Sequence, residues 1–232
     1  MTLGRLLRIA ACLVAVAAVG AHAAPAAPEI YEGLVKVRSK NLDTVYLLPG
    51  ADFRAYTKVM IDAPEVKFKQ GWVKDINRSR NLSSRISEND AEQIAKAMRS
   101  GFEGIFAGAF KAKGYEVVAA PAPDVLRLSP AVVNLYLNAP NPSGPGVRQS
   151  FTVEAGEATF VLQASDSTTG ALLGIAIDRR ETRNRGYGMM ATTGTNSADF
   201  EDLFKRWAGI CVKGLDALKA GQLGPGKPAA GK

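Results

Sequence analysis

The stretch GEATFVLQASDSTTGALLGIAIDRRETR, residues 156–183, reads as two strands around a turn. Glu157 to Ser165 and Ala171 to Arg183 form the strands. Asp166-Ser167-Thr168-Thr169-Gly170 between them has the composition of a hairpin loop that closes on a positive-φ glycine. If Ser165 faces Ala171, then Val161 faces Ile175, and Glu157 lies opposite Arg179 as a cross-strand ion pair. Phe160 and Leu162 fall on one face, Val161 and Ile175 on the other. Apolar residues on both faces place the hairpin centrally in a sheet, covered at least in part on each side.

Working outward, further strands are expected at Val45 to Leu48, which runs into the turn Pro49-Gly50, and at Tyr56 to Phe68, where Val59 and Ile61 alternate and Pro64 marks an edge or a bend. Tyr115 to Ala119, Ala131 to Asn138 and Val147 to Val153 read likewise, separated by turns at Pro121 to Asp124 and Asn141 to Gly146. Gly71 to Arg85 carries four basic residues with little periodicity and reads as a surface loop.

Two segments have helical period. Ser87 is a natural N-cap, with Asp90 three residues on to complete a capping box. Ile94, Met98, Phe102, Ile105, Phe106, Ala109 and Phe110 then make one apolar face, and Gly114 stops the helix. Ala198 to Lys219 repeats the pattern with Phe200, Leu203, Phe204, Trp207, Ile210, Cys211, Leu215 and Leu218. The predicted fold class is α+β: a single domain in which an antiparallel sheet is packed by the Ser87–Lys113 and Ala198–Lys219 helices.

The chain ends read differently. Arg5 and Arg8, the apolar run Ile9 to Gly20, and Ala21-His22-Ala23 before Ala24 have the order of a secretory signal peptide cleaved between Ala23 and Ala24. The apolar run is shorter than the roughly 20 residues a spanning helix needs. Residues 1–23 are thus expected to be a signal, 24–29 a flexible leader, 30–220 the folded domain and 221–232 a disordered Gly/Pro/Lys tail. A rival reading makes Ile9-Ala10-Ala11-Cys12 a lipoprotein box and Cys12 a lipid anchor, although most of the apolar run follows Cys12 rather than preceding it. The expected location is the periplasm, with secretion or anchoring through Cys12 as alternatives.

Removal of residues 1–23 takes away His22, the only histidine, and Cys12, one of two cysteines, and lowers the formal charge from +7 to +5. Ser-His and Cys-His nucleophile pairs and histidine-ligated metals are then excluded. Cys211, on the apolar face of the last helix, reads as a packed thiol. The sequence nominates no catalytic residue, no metal ligand and no cofactor. Arg179, Arg180, Arg183 and Arg185 lead into Gly186-Tyr187-Gly188 and Met189-Met190; these arginines and Tyr187 are the candidate contact for an anion or a partner, set against a solvated strand end that resists aggregation. Lys67, Lys69, Lys74, Arg78, Arg80 and Arg85 form a second basic region. Export, moderate charge and the lack of a basic, aromatic-studded motif argue against nucleic acid. The partner classes left open are an envelope protein, a lipid or a glycan.

Tyr46-Leu47-Leu48-Pro49-Gly50-Ala51-Asp52-Phe53 with Tyr56 and Val59 to Asp62, Gly114-Tyr115-Glu116-Val117-Val118, Gly156-Glu157-Ala158 with Asp166 to Gly170, and Trp207-Ala208 follow one another in that order. Together these stretches resemble a bacterial envelope family, domain of unknown function 3313. The resemblance implies an exported envelope protein with an α+β domain, similar to small periplasmic modules of envelope-assembly proteins. Membership of the family would also imply a lipoprotein in many cases, and this chain departs from that pattern in lacking a cysteine at the expected processing site. The resemblance brings no catalytic residues. The expected role is a non-catalytic binding or structural accessory of the envelope. The alternatives are a histidine-free hydrolase or transferase using carboxylates or Ser-Lys, and a secreted factor acting outside the cell.

Overall fold

The computed structural model describes residues 30–78, 80–137, 154–183 and 193–222. The expected leader, the Asn141–Gly146 loop, the Val147–Val153 strand and the residues beyond 222 lie outside them. The strands are β1 (Ile30–Tyr31), β2 (Leu34–Val37), β3 (Thr44–Leu47), β4 (Lys58–Ile61), β5 (Glu65–Phe68), β6 (Glu116–Val117), β7 (Val125–Leu137), β8 (Glu154–Asp166) and β9 (Leu172–Arg183). The helices are α1 (Trp72–Asn77), α2 (Glu88–Ala112) and α3 (Thr193–Lys219). All described strands join one sheet in the order β1-β2-β3-β9-β8-β7-β4-β6, with β5 also on β7.

The fold is α+β, but the sheet is mixed rather than antiparallel. β4 and β5 pair in parallel with successive parts of β7, and β4 pairs in parallel with β6. The expected Tyr56–Phe68 strand is broken at the segment holding Pro64, and its halves share one edge of β7. Parallel neighbours need a long crossover, which α2 supplies between β5 and β6.

The hairpin is central, β8 lying between β7 and β9. Its register differs from expectation. Val161 faces Ile177, Glu157 faces Glu181 and Thr159 faces Arg179. Two local features cause the shift. The Asp166 amide donates to Ala171 O at 3.0 Å, so the loop closes one residue later. Leu173 is then an extra residue between Leu172 and Gly174, a β-bulge. Arg179 still pairs with Glu157, now along a diagonal.

Helix α2 begins as its sequence requires. The Asp90 amide donates to Ser87 Oγ at 3.1 Å, and the Ser87 amide donates back to Asp90 Oδ2 at 2.8 Å. At its end Gly114 has φ +86°; its amide reaches Lys111 O and that of Tyr115 reaches Phe110 O, a Schellman closure on which the Phe110 and Tyr115 rings pack 5.7 Å apart. Helix α3 starts five residues before the expected Ala198.

Both helices lie on one face of the sheet. Phe102 of α2 meets Phe204 of α3 edge-on at 4.9 Å, and Trp207 stacks on Phe160 of β8 at 5.1 Å. Each such fully buried side chain contributes roughly 1.5–3 kcal/mol of transfer free energy. The opposite face carries a smaller cluster of Leu34, Tyr46 and Ile175 with Val161 and Ile177 against it, so the hairpin is covered on both sides.

Residues 71–85 are not a plain surface loop. Trp72 is 1% exposed, stacks on Phe68 at 4.0 Å and donates its indole N–H to Leu137 O at 3.1 Å. Asn77 makes two bonds to the Ile86 backbone. A helix of six residues with two apolar anchors is too short for periodicity to reveal. Three lysines and arginines of the basic region are locally paired: Lys67 with Glu65, Lys69 with Glu157 and Arg78 with Asp75.

β8 crosses β7 closely at Gly156, where a Cβ would sit 2.0 Å from Tyr136 O. Gly156→Ala is expected to lower stability by about 3 kcal/mol, as a backbone clash in a central strand pair requires, read as a fall in the urea midpoint.

Candidate functional site

The described residues contain a cleft of about 440 Å³ between the C-terminal half of α3 and the sheet. Its origin is a change of residue size along α3. The N-terminal half carries Phe200, Phe204 and Trp207, which fill the space against the sheet. The C-terminal half brings Gly214 and Ala217 over Ala164, Gly174 and Ala176 of β8 and β9. A Cβ built at Gly214 would meet no atom within 4 Å, so the helix stands off the sheet there. Leucines at 47, 126, 128 and 162 complete an apolar floor.

The mouth is formed by residues 38–42, the turn between β2 and β3. Arg38 and Lys40 on this turn, with Lys213 on α3, are the charged residues lining the cleft, and no Asp or Glu lines it. None of the three makes an ion pair among the described residues, and Arg38, Lys40 and Lys213 are exposed.

The turn is held by a buried carboxylate. Asp178 of β9 is 0% exposed and accepts from the Trp207 indole N–H at 2.8 Å, from Arg180 Nε at 2.6 Å and from the Asp43 amide at 3.2 Å. Arg180 Nη2 also donates to Asn41 O at 2.9 Å, and the Arg179 amide donates to Asp43 Oδ2 at 2.8 Å. The hydrogen bonds that Arg180 donates to Asp178 raise the Arg180 pKa above its ordinary value, so Arg180 is a fixed cation.

Cys211 forms part of the cleft wall and is buried. Burial pushes its thiol pKa well up, and the negative charge of Asp178 adds to the shift. At neutral pH it is a protonated, unreactive thiol. Among the described residues no group of three or more His, Cys, Asp or Glu is placed to hold a metal ion, and no helix is long and apolar enough to cross a membrane.

The chain matches, over residues 24–209, a family described as a protein of unknown function (DUF3313). It belongs to that family. No curated protein matches it. Among solved structures it is similar to a PelC dodecamer from Paraburkholderia phytofirmans, at 16% identity over 72% of this chain and 94% of that one, with a TM-score of 0.37. It is also similar to a putative neuraminyllactose-binding hemagglutinin homolog from Helicobacter pylori, at 11% identity over 75% and 88%, with a TM-score of 0.30. Likenesses this distant carry no argument about the role of the DUF3313 chain.

Of the residues proposed from sequence as an anion or partner contact, this DUF3313 structure places Arg179 and Arg180 on β9 with different neighbours. Arg179 is exposed and bonded to Glu157, whose carboxyl pKa that bond holds below its ordinary value. Arg180 turns to Asp178 and the mouth of the cleft. The Arg183 side chain, Arg185 and Tyr187 lie outside the described residues. Sequence reading missed Arg38, Lys40 and Lys213. The signal was present as small residues interrupting the apolar faces of α3 and the hairpin, but their meeting across the interface is a tertiary fact.

Replacing Asp178 with Ala strands the Trp207 N–H and the half-buried Arg180, and should cost about 3 kcal/mol in chemical unfolding. Glu157→Ala, which frees an exposed arginine, should cost less than about 1 kcal/mol. Alkaline pH provides a second check. Burial and the Asp166 hydrogen bond push Tyr56 up to about 12, and burial likewise raises Tyr115 and Cys211. All three lose protons earlier in the unfolded chain, so their stabilisation is complete below about pH 8.5 and falls as pH rises toward their folded values. The urea midpoint should therefore drop between pH 8 and about pH 11, and Cys211→Ala should remove the portion that begins first.

Proposed function

We propose that this DUF3313 protein is an exported accessory of the bacterial envelope that works by binding, with an apolar ligand or partner group seated in the cleft under the C-terminal half of α3. The observation that carries this reading is the cleft itself: a mainly apolar lining, a volume within the roughly 300–1,000 Å³ of small-molecule sites, and a few polar groups, from the 38–42 turn, Lys213 and Gln222. Export and a periplasmic location rest on Arg5, Arg8, the Ile9–Gly20 run and Ala21-His22-Ala23. A protonated thiol in the wall and cations at the rim favour holding a molecule over general-base chemistry. Arg179 and Arg180 enter this reading as supports of the cleft mouth.

Two measurements test it. The intact mass of protein recovered from cells should correspond to a chain starting at Ala24; a lipid-modified Cys12 would replace the soluble reading by an anchored one, and recovery from the medium would move the protein outside the cell. A neutral apolar fluorophore such as N-phenyl-1-naphthylamine should bind saturably to the folded protein. Gly214→Leu should abolish that signal while the melting temperature holds or rises, because the new side chain enters open space and helix propensity improves by about 1 kcal/mol. Dye binding unchanged in this variant would remove the cleft from the proposal.

A further inference from the structure

We infer that the occupant of the cleft is an amphiphilic anion with a single alkyl or acyl chain, its chain lying along the floor and its carboxylate or phosphate head held at the mouth by Arg38, Lys40 and Lys213. This rests on the cleft being the binding site and goes beyond it by fixing the sign and shape of the ligand.

Charge complementarity carries the sign. The charged residues lining the cleft are Arg38, Lys40 and Lys213, and no carboxylate lines it. Lysines and arginines elsewhere on this surface often sit beside a carboxylate, as Lys58 does with Asp124, Lys67 with Glu65 and Arg127 with Asp62. These three cations line the cleft without an ion pair among the described residues, and an anion entering it meets a guanidinium and two ammonium groups, the donor set suited to carboxylate or phosphate oxygens.

Preorganisation carries the position. Arg38 and Lys40 belong to a turn that is tied down on its far side: Ser39 Oγ accepts from the Leu42 amide at 3.1 Å, Asn41 O accepts from Arg180, and the Asp43 amide donates to Asp178. The rim is thus referenced to the same buried carboxylate that fixes Trp207 and so α3, which carries Lys213. A fixed rim reduces the ordering cost of binding.

Shape carries the chain number. The lining is mainly aliphatic, with Phe53 and Phe110 as its aromatic members, and Leu47, Leu126, Leu128 and Leu162 make up much of the floor beneath Gly214 and Ala217. Each methylene transferred from water to such a floor contributes about 0.8 kcal/mol. A volume of about 440 Å³ suits a ligand of small-molecule size, and the second chain of a diacyl lipid would be left in water.

The test is calorimetric titration of the full processed protein with a matched dodecyl series, each kept monomeric: laurate, dodecyl phosphate, dodecanol and dodecyltrimethylammonium. Laurate and dodecyl phosphate should bind at least about tenfold more tightly than dodecanol, and the advantage should shrink as salt is added. The relative strength of the two anions identifies the preferred head. The triple variant Arg38→Glu, Lys40→Glu, Lys213→Glu changes exposed side chains only; it should lose the anion preference and favour dodecyltrimethylammonium, with an unchanged melting temperature. Gly214→Leu should abolish binding of the whole series.

The failures are separable. If dodecanol binds as tightly as laurate and the triple variant changes nothing, the cleft stands and the anion assignment falls. If no member of the series binds, both fall. Sedimentation with phosphatidylglycerol vesicles without binding of monomers would make the cations a membrane-docking patch and overturn the assignment. Binding that appears only after residues 223–232 are removed would give the cleft to the protein's own C-terminal segment, with the same result.

Discussion

The buried carboxylate of Asp178 is the constraint on which the arrangement depends. A carboxylate removed from water is tolerated when it is fully bonded, and here the partners come from separate parts of the chain: the Trp207 indole from α3, the Arg180 guanidinium from its own strand and the Asp43 amide from the turn before β3. Each bond goes to an ionised acceptor, and those from the Arg180 guanidinium and the Trp207 indole are short, at 2.6 and 2.8 Å. Helix α3 is therefore fixed in rotation and height over β9 at Trp207, and the 38–43 turn is fixed at the same point. A purely apolar contact would allow either element to slide.

The position of the cleft follows from that anchor. With Trp207 held on Asp178 and stacked on Phe160, the aromatic half of α3 is set at a distance that suits large rings. The helix continues, and about two turns later Gly214 and Ala217, between Leu215 and Leu218, leave space over Ala164, Gly174 and Ala176 of the strands. The helix does not close that gap, so the space persists as a cleft. Cys211 stands at the boundary, one turn from Trp207, packed as a small apolar group within the field of Asp178.

Features governed by neighbours in sequence were legible before the structure. The Ser87–Asp90 capping box, the Gly114 closure and the apolar faces of both long helices follow from local chemistry that tertiary packing did not override. The hairpin was legible as a hairpin, but its register was not, because the bulge at Leu173 leaves no compositional mark that separates it from its neighbours. The parallel pairing of β4 and β5 with β7 was hidden for a topological reason: nothing in Tyr56–Phe68 states which distant strand it joins or in which direction. Trp72 was missed because two anchors one turn apart give no period. Arg180 looked like its neighbours in an arginine cluster; its partners, Asp178 and Asn41 O, differ from those of Arg179 because strand alternation turns it to the helix side.

Glycine in a helix is not by itself a sign of function. Helix α2 carries Gly101, Gly104 and Gly108 on its exposed side, each with open space around a built Cβ, and these have no counterpart across an interface. Gly214 differs in its surroundings. It lines the cleft together with Ala217 and faces Ala164, Gly174 and Ala176 on two strands, so five small residues from three elements converge on one volume. A larger residue at Gly214 would improve both helix propensity and packing, and Gly174 has a separate reason to stay small, since a Cβ there would come within 2.9 Å of Leu47 Cδ2. A core selected for density alone would fill the position at Gly214. That the space instead opens beside three cations lacking ion-pair partners among the described residues is the point at which stability and local sequence preference part, and it is there that the proposed binding role has its physical footing.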